Sequence, residues 1–140
     1  MAVSGAGGWP FTHSLRIRYG ECDMQGVVFN AHYLAFCDDT SAAWMADTIG
    51  WTGTDDPLDW MLVHAEVDWQ GSATYGDTLV IDTGVARWGR TSFTVRYRGR
   101  VGDRPVFTAE SVHVCVAGGS HDAIEVPQML RDALGDAPPA

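Results

Sequence analysis

From His13 to Tyr19 apolar and polar positions alternate, with Leu15, Ile17 and Tyr19 interleaved with Arg16 and Arg18. A period of two belongs to a half-buried strand, so a strand is expected there. The pattern breaks over the polar turn Gly20 to Gly26. From about Ala31 to Thr48 the spacing changes: Leu34, Cys37, Ser41, Trp44 and Met45 recur every third or fourth residue, the narrow stripe of a helix packed on one side. Asn30 is placed to cap the start of that helix and Gly50 to end it. After a loop rich in Gly, Asp and Pro (Thr52 to Asp59), alternation returns and persists to about Val116. Val63, Ala65, Val67 and Trp69 alternate with His64, Glu66 and Asp68. Leu79, Ile81 and Val85 share a face, as do Phe93, Val95 and Tyr97, and then Val112, Val114 and Val116.

The breaks at Trp88-Gly89-Arg90 and Gly102-Asp103 carry turn chemistry between long runs, which predicts hairpins and therefore antiparallel pairing. The expected order is strand, long helix, four strands. A helix of about 18 residues is roughly 27 Å long and can lie across a five-stranded antiparallel sheet, an α+β architecture. One helix does not cover both faces of such a sheet, so self-association is expected. Residues 1–10 read as a flexible leader, 11–134 as a single domain and 135–140 as a flexible tail, with no internal linker or repeat.

Composition narrows the functions. The chain has 140 residues and a net charge of −9, which disfavours nucleic acid and anionic membranes as partners. No apolar run approaches the roughly 20 residues of a membrane span. Met1 to Leu15 has neither basic residues nor a long apolar stretch, so no secretory signal is expected. The three cysteines, Cys22, Cys37 and Cys115, are far apart and form no CxxC pair; reduced thiols and a cytoplasmic location are the expectation. All nine basic residues are arginines. A Schiff base and a P-loop lysine are thereby excluded, while the guanidinium fork suits phosphate. The five histidines show no metal-ligand spacing, and neither metal nor cofactor is expected. Ser120, in Gly119-Ser120-His121-Asp122, lacks the flanks of a nucleophile elbow and reads as a turn.

The segment Tyr19 to Tyr33 joins a strand to a helix start, where backbone N–H groups are unpartnered and carry partial positive charge. An acid a few positions upstream, on a turn made supple by Gly26, suits attack on a thioester carbonyl, with the N–H groups receiving the oxyanion. Glu21 is the alternative carboxylate to Asp23.

The run Asp23-Met24-Gln25-Gly26-Val27-Val28-Phe29-Asn30 with Tyr33 resembles the signature of the 4-hydroxybenzoyl-CoA thioesterase family. Gly76-Asp77, Arg87-Trp88-Gly89-Arg90-Thr91-Ser92-Phe93 and Ile124-Glu125-Val126-Pro127 are similar as well, so the resemblance runs from about Ser14 to Leu130. It implies a hot-dog fold, a five-stranded antiparallel sheet wrapped around one long helix, in homodimers or homotetramers, with an acyl-CoA as substrate and no cofactor. It also implies catalytic roles for Asp23 as nucleophile or general base, for Gly26, and for the Asn30 backbone N–H. Val28 and Tyr33 are substrate-side candidates, and so by their placement are Trp60, in a loop within reach of an acyl or aromatic group, and His64, on a strand near the helix-lined face; Arg87, Arg90 and Ser92 are CoA-side candidates. Tyr33 and Trp44 also read as packing residues at helical spacing, and His32 as a surface or interface histidine. Gly89 departs from the family, which has a second arginine there, and Arg87 is its candidate substitute. The resemblance leaves open whether CoA or an acyl carrier protein bears the thiol, and whether the domain is instead a non-catalytic acyl-CoA-binding module.

Overall fold

The computed structural model describes residues 6–140; the first half of the expected leader lies outside them. The elements are β1 (Phe11–Arg16), α1 (His32–Ile49), β2 (Leu58–Trp69), β3 (Thr78–Trp88), β4 (Ser92–Val101), β5 (Arg104–Ala117) and a short α2 (Gln128–Ala133). The five strands form one sheet in the order β1-β3-β4-β5-β2, antiparallel throughout. The hairpins close where expected, with Trp88 opposite Phe93 and Val101 opposite Arg104. This is the α+β hot-dog architecture.

Helix α1 packs on one face of the sheet. Leu79, Ile81 and Val85 of β3 and Phe93, Val95 and Tyr97 of β4 are buried there with Phe107, Ala109 and Cys115 of β5. The helix meets them through Tyr33, Phe36, Cys37, Thr40, Ser41, Trp44 and Met45, a broader stripe than the sequence spacing picks out. Leu34, expected inward, is an exposed residue at its flank. The helix ends at Gly50, which takes the left-handed conformation (φ 71°) and donates its N–H to Ala46 O. At its start the cap position is Ala31, not Asn30.

Several expectations shift. Strand β1 starts at Phe11 and ends at Arg16, so Tyr19 is 84% exposed and not part of an inward face. In β5 the inward residues are Ser111, His113 and Cys115, while Val112 and Val114 are half-buried on the other face. The buried polar pair is tied into a chain: Ser111 Oγ donates to Tyr97 Oη and also bonds His113 Nε2 at 3.0 Å, and Tyr97 Oη meets Ser41 Oγ of the helix. Residues 135–138, read as a loose tail, run beside β3. Val85 N–H donates to Gly135 O (2.9 Å), Ala137 N–H to Val85 O (2.8 Å) and Arg96 Nη1 to Pro138 O (2.9 Å). Trp9, within the expected leader, is buried with the Arg98 guanidinium over its ring.

The face of the sheet opposite α1 consumes arginines. Asp82 is fully buried and accepts from Arg98 Nη2 (2.6 Å), Arg100 Nε (3.3 Å) and Thr12 Oγ1 (2.6 Å), while Arg96 pairs with Glu110 (2.9 Å). No helix among the described residues is long and apolar enough to cross a membrane.

Candidate active site

The segment between β1 and α1 is pinned at both ends. After Arg16 the chain leaves the ladder, with Ile17 N–H donating to Asp77 O at 2.8 Å. Tyr19–Glu21 make one 3₁₀ turn, stapled by Glu21, whose carboxylate accepts from the Arg18 N–H (2.7 Å) and Nη2 (3.1 Å). Burial alone would raise the Glu21 carboxyl pKa, but the Arg18 hydrogen bonds and charge outweigh it and hold it below the usual range. The alternative carboxylate is thus engaged in holding the turn.

Cys22 and Val28 then pair antiparallel, and Val27 bridges Thr74. Between them lies a closed loop: Asp23 N–H donates to Val27 O (2.9 Å), Gly26 N–H to Asp23 O (3.0 Å), and Gln25 N–H to Asp23 Oδ1 (2.8 Å). Gly26 has φ 79°, a left-handed conformation that side chains resist. The loop is docked through Ala73, whose C=O accepts from Val28 N–H at 2.9 Å and whose N–H donates to Tyr33 Oη at 3.2 Å. At the helix start, His32 and Tyr33 turn their N–H groups back to Phe29 O and Asn30 O (2.9 and 3.3 Å). The N–H groups of Asn30 and Ala31 have no acceptor among the described residues.

Asp23 is half-buried and lies on the wall of a concavity of about 540 Å³, with Tyr19, Cys22, Met24, Gly26 and Tyr75. Tyr19 and Tyr75 meet edge to face at 6.3 Å, and the Arg16 guanidinium sits 5.1 Å from the Tyr75 ring centre. Asp23 and Gly26 therefore share one hollow. Asn30 is exposed at the helix start and does not line it.

The other candidates scatter. Val28 and Tyr33, each 1% exposed, are core residues: the Cys22–Val28 pairing buries Val28, and Tyr33 packs on Phe107 (5.3 Å) and Trp69 (6.3 Å). Trp60 is not in a loop: β2 already begins at Leu58, and the Trp60 indole packs against that of Trp51, tilted by 46° at 4.6 Å between ring centres. His64 follows a bulge in β2, exposed, with Nε2 3.2 Å from Glu66.

Arg87, Arg90 and Ser92 come together at the β3–β4 hairpin, at the other end of β3 from the Asp23 loop. That strand has 11 residues, roughly 35 Å at about 3.3 Å per residue. Arg87 and Arg90 are exposed, and Arg90 lies 3.7 Å from Glu125. The hairpin is clamped from the C-terminal side: Val126 N–H donates to Arg90 O (2.8 Å) and Arg131 Nη2 to Gly89 O (2.6 Å), with the Arg131 guanidinium 5.3 Å from the Trp88 ring centre. Sequence reasoning missed Arg131, because a helix as short as α2 shows no periodicity. It also missed Tyr75, which stands beside the recognised Gly76-Asp77.

The model of the thioesterase-like superfamily matches residues 17–134. The chain belongs to the thioesterase-like superfamily. This thioesterase is 31% identical over 122 residues to the 1,4-dihydroxy-2-naphthoyl-CoA hydrolase of Synechococcus elongatus, a match covering 84% of this chain and 90% of that protein. Its fold is similar to that of a Pseudomonas aeruginosa protein (TM-score 0.83, 22% identity, 91% of this chain and 90% of the other). It is similar also to a 1,4-dihydroxy-2-naphthoyl-CoA thioesterase from Synechocystis (TM-score 0.77, 22% identity, 88% and 93%). The enzyme class expected from the motif, an acyl-CoA thioesterase, agrees with these names.

Proposed function

We propose that this thioesterase hydrolyses the CoA thioester of an aromatic carboxylic acid, with Asp23 as the working carboxylate and the Asn30 N–H as oxyanion donor. The observation that carries the reading is the Asp23 loop itself. A carboxylate is held on the wall of a hollow by a glycine turn, and the chain then runs directly into a helix start with unused N–H groups. As general base, Asp23 takes a proton from water while the water oxygen bonds to the thioester carbon. As nucleophile, its own oxygen bonds there and a mixed anhydride is hydrolysed afterwards. In both, negative charge collects on the carbonyl oxygen, where backbone donors stabilise it. The C–S bond then breaks and the thiolate leaves; in the general-base route it takes the proton held by Asp23, and in the nucleophilic route it takes one from solvent.

The 4-hydroxybenzoyl group suggested by the motif gives way to a broader class, because the relatives named above act on a dihydroxynaphthoyl group. A bicyclic hydroxyaromatic acyl group is our preferred substrate. Arg90, Arg87 and Ser92 are proposed for the CoA nucleotide phosphates, but in one chain they stand a strand's length from Asp23. A second copy joined along the free edge of β2 answers that separation, and that edge exposes Met61, Leu62, Val63 and Trp69. We accordingly propose a homodimer as the working unit, in which one copy supplies Asp23 and the other the arginine hairpin.

The test is thiol release from a panel of acyl-CoAs. Dihydroxynaphthoyl- and hydroxybenzoyl-CoA are expected to exceed hexanoyl- and palmitoyl-CoA in kcat/KM by tenfold or more. A preference for the aliphatic esters would overturn the aromatic assignment.

A further inference from the structure

The Asp23 loop is docked on one stretch of chain, residues 70–77 between β2 and β3. Val28 N–H donates to Ala73 O (2.9 Å), Val27 bridges Thr74, and Tyr75 walls the hollow. The stretch has no helix or strand of its own, so its place depends on what grips it. At its start Gln70 and Gly71 both donate their N–H groups to Val106 O (2.8 and 3.1 Å), and a Cβ on Gly71 would stand 2.8 Å from Pro105 O. At its end Gly76 N–H donates to Ile17 O (3.0 Å) and Asp77 O accepts from Ile17 N–H (2.8 Å). Between the ends Tyr33 Oη accepts the Ala73 N–H, and Arg104 takes hold from β5.

Arg104, the first residue of β5, reaches the stretch with both arms of its fork. Nη1 donates to Ser72 O at 2.6 Å, and Nη2 lies 3.6 Å from Asp77 Oδ2. That same Oδ2 accepts the Thr74 N–H at 2.9 Å. Thr74 bridges Val27, and Val27 O accepts the Asp23 N–H at 2.9 Å. A chain of polar contacts therefore runs from the guanidinium to the Asp23 backbone. The ion pair is partly exposed and contributes little by itself; the short charge-assisted bond to Ser72 O is the stronger contact. Arg96 offers a matched comparison. It too joins a carboxylate (Glu110, 2.9 Å) and a backbone carbonyl (Pro138, 2.9 Å), but it holds the C-terminal segment on the face of the sheet opposite α1.

We propose that Arg104 is a positioning residue for Asp23. It sets the 70–77 stretch against which the loop is docked, and it acts on the chemistry through that stretch alone. This deepens the reading of Asp23 as the working carboxylate and rests on it. A misplacement of about 1 Å, caused away from the reacting groups, costs about 10²-fold in rate. The planar fork is what lets one side chain fix Ser72 and Asp77 together, and a lysine in its place holds one point at a time.

The test is steady-state thiol release from one aromatic acyl-CoA by folded variants. In Arg104→Gln, kcat is expected to fall about tenfold or more while KM stays within about twofold, the signature of a group that misplaces the chemistry without touching substrate. Arg104→Lys is expected to recover part of the loss, and Arg96→Gln to keep the wild-type kcat. The double variant Asp23→Asn, Arg104→Gln is expected to be no slower than Asp23→Asn alone, because one residue acts through the other. An unchanged kcat in Arg104→Gln, an equal loss in Arg96→Gln, or losses that multiply in the double variant would overturn the proposal. Should Arg104→Gln not fold, Arg104→Lys carries the same comparisons with smaller losses. Full turnover by Asp23→Asn would sink the Asp23 reading instead. The hold of Arg104 on the loop is then judged by hydrogen exchange at the Asp23 and Gly26 amides, both bonded within the loop. Faster exchange in Arg104→Gln than in wild type and Arg96→Gln upholds it, and equal exchange refutes it.

Discussion

The Tyr33 hydroxyl accepts the Ala73 N–H at 3.2 Å, across 40 residues of sequence. The same Ala73 carbonyl takes the Val28 N–H at 2.9 Å. One buried residue of the β2–β3 connection therefore ties the helix start to the end of the Asp23 loop. Burial pushes the Tyr33 phenol up, which keeps the hydroxyl neutral at working pH. Tyr33→Phe leaves the Ala73 N–H buried and unpaired, a cost of about 1–3 kcal/mol. A lower urea midpoint with unchanged slope is expected, together with a reduced kcat as the loop loses its tether. An unchanged midpoint would show that Ala73 finds another partner.

His113 is 2% exposed; Nε2 bonds Ser111 Oγ, and Nδ1 has no partner. Burial pushes its pKa down to about 4, against about 6.5 for an unperturbed histidine. The unfolded chain therefore binds a proton that the folded one refuses. The stability contribution is complete above about pH 6.5 and is lost as pH falls from there to about 4, roughly 3 kcal/mol over the window. Urea unfolding at several pH values should show that decline, and His113→Phe should flatten it. An equally steep decline in the variant would assign the acid sensitivity to other groups.

How far the sequence could be read depended on the physics behind each signal. Alternation located β3 and β4 well, because both strands pack their odd residues under α1 and the period survives to the hairpins. It failed on β5, where Val112 and Val114 looked inward: the interior there holds Ser111 and His113, buried polar residues that hydropathy assigns to solvent. Alternation also carried β1 too far, since nothing in Ile17 or Tyr19 signals that Ile17 leaves the ladder for Asp77. The loop at Asp23 was legible because a glycine turn before a helix is a local feature. Tyr33 was legible as a packing residue from its helical spacing, but the depth at which it and Val28 are buried is set by a connection, around Ala73, more than thirty residues away in the chain.

The β2 edge bears on assembly. Val63 sits at the bulge and is 60% exposed, next to Leu62 at 44%. Charged residues on an edge strand block pairing with another edge. Sedimentation is expected to give a dimer for the wild type and a shift toward monomer for Val63→Lys, with activity falling in parallel if each site draws on both copies. A monomeric wild type with full activity would contradict the shared site.

The most direct measurement is thiol release by Asp23→Asn, with substrate binding followed in parallel. The exchange keeps the side chain's shape and the acceptor for the Gln25 N–H, and removes only the carboxylate. A fall in kcat of about 10²–10⁴, the range for loss of a positioned acid–base group, with binding of the acyl-CoA retained, is the expected result. Undiminished turnover in Asp23→Asn would contradict the assignment and move the chemistry away from this loop.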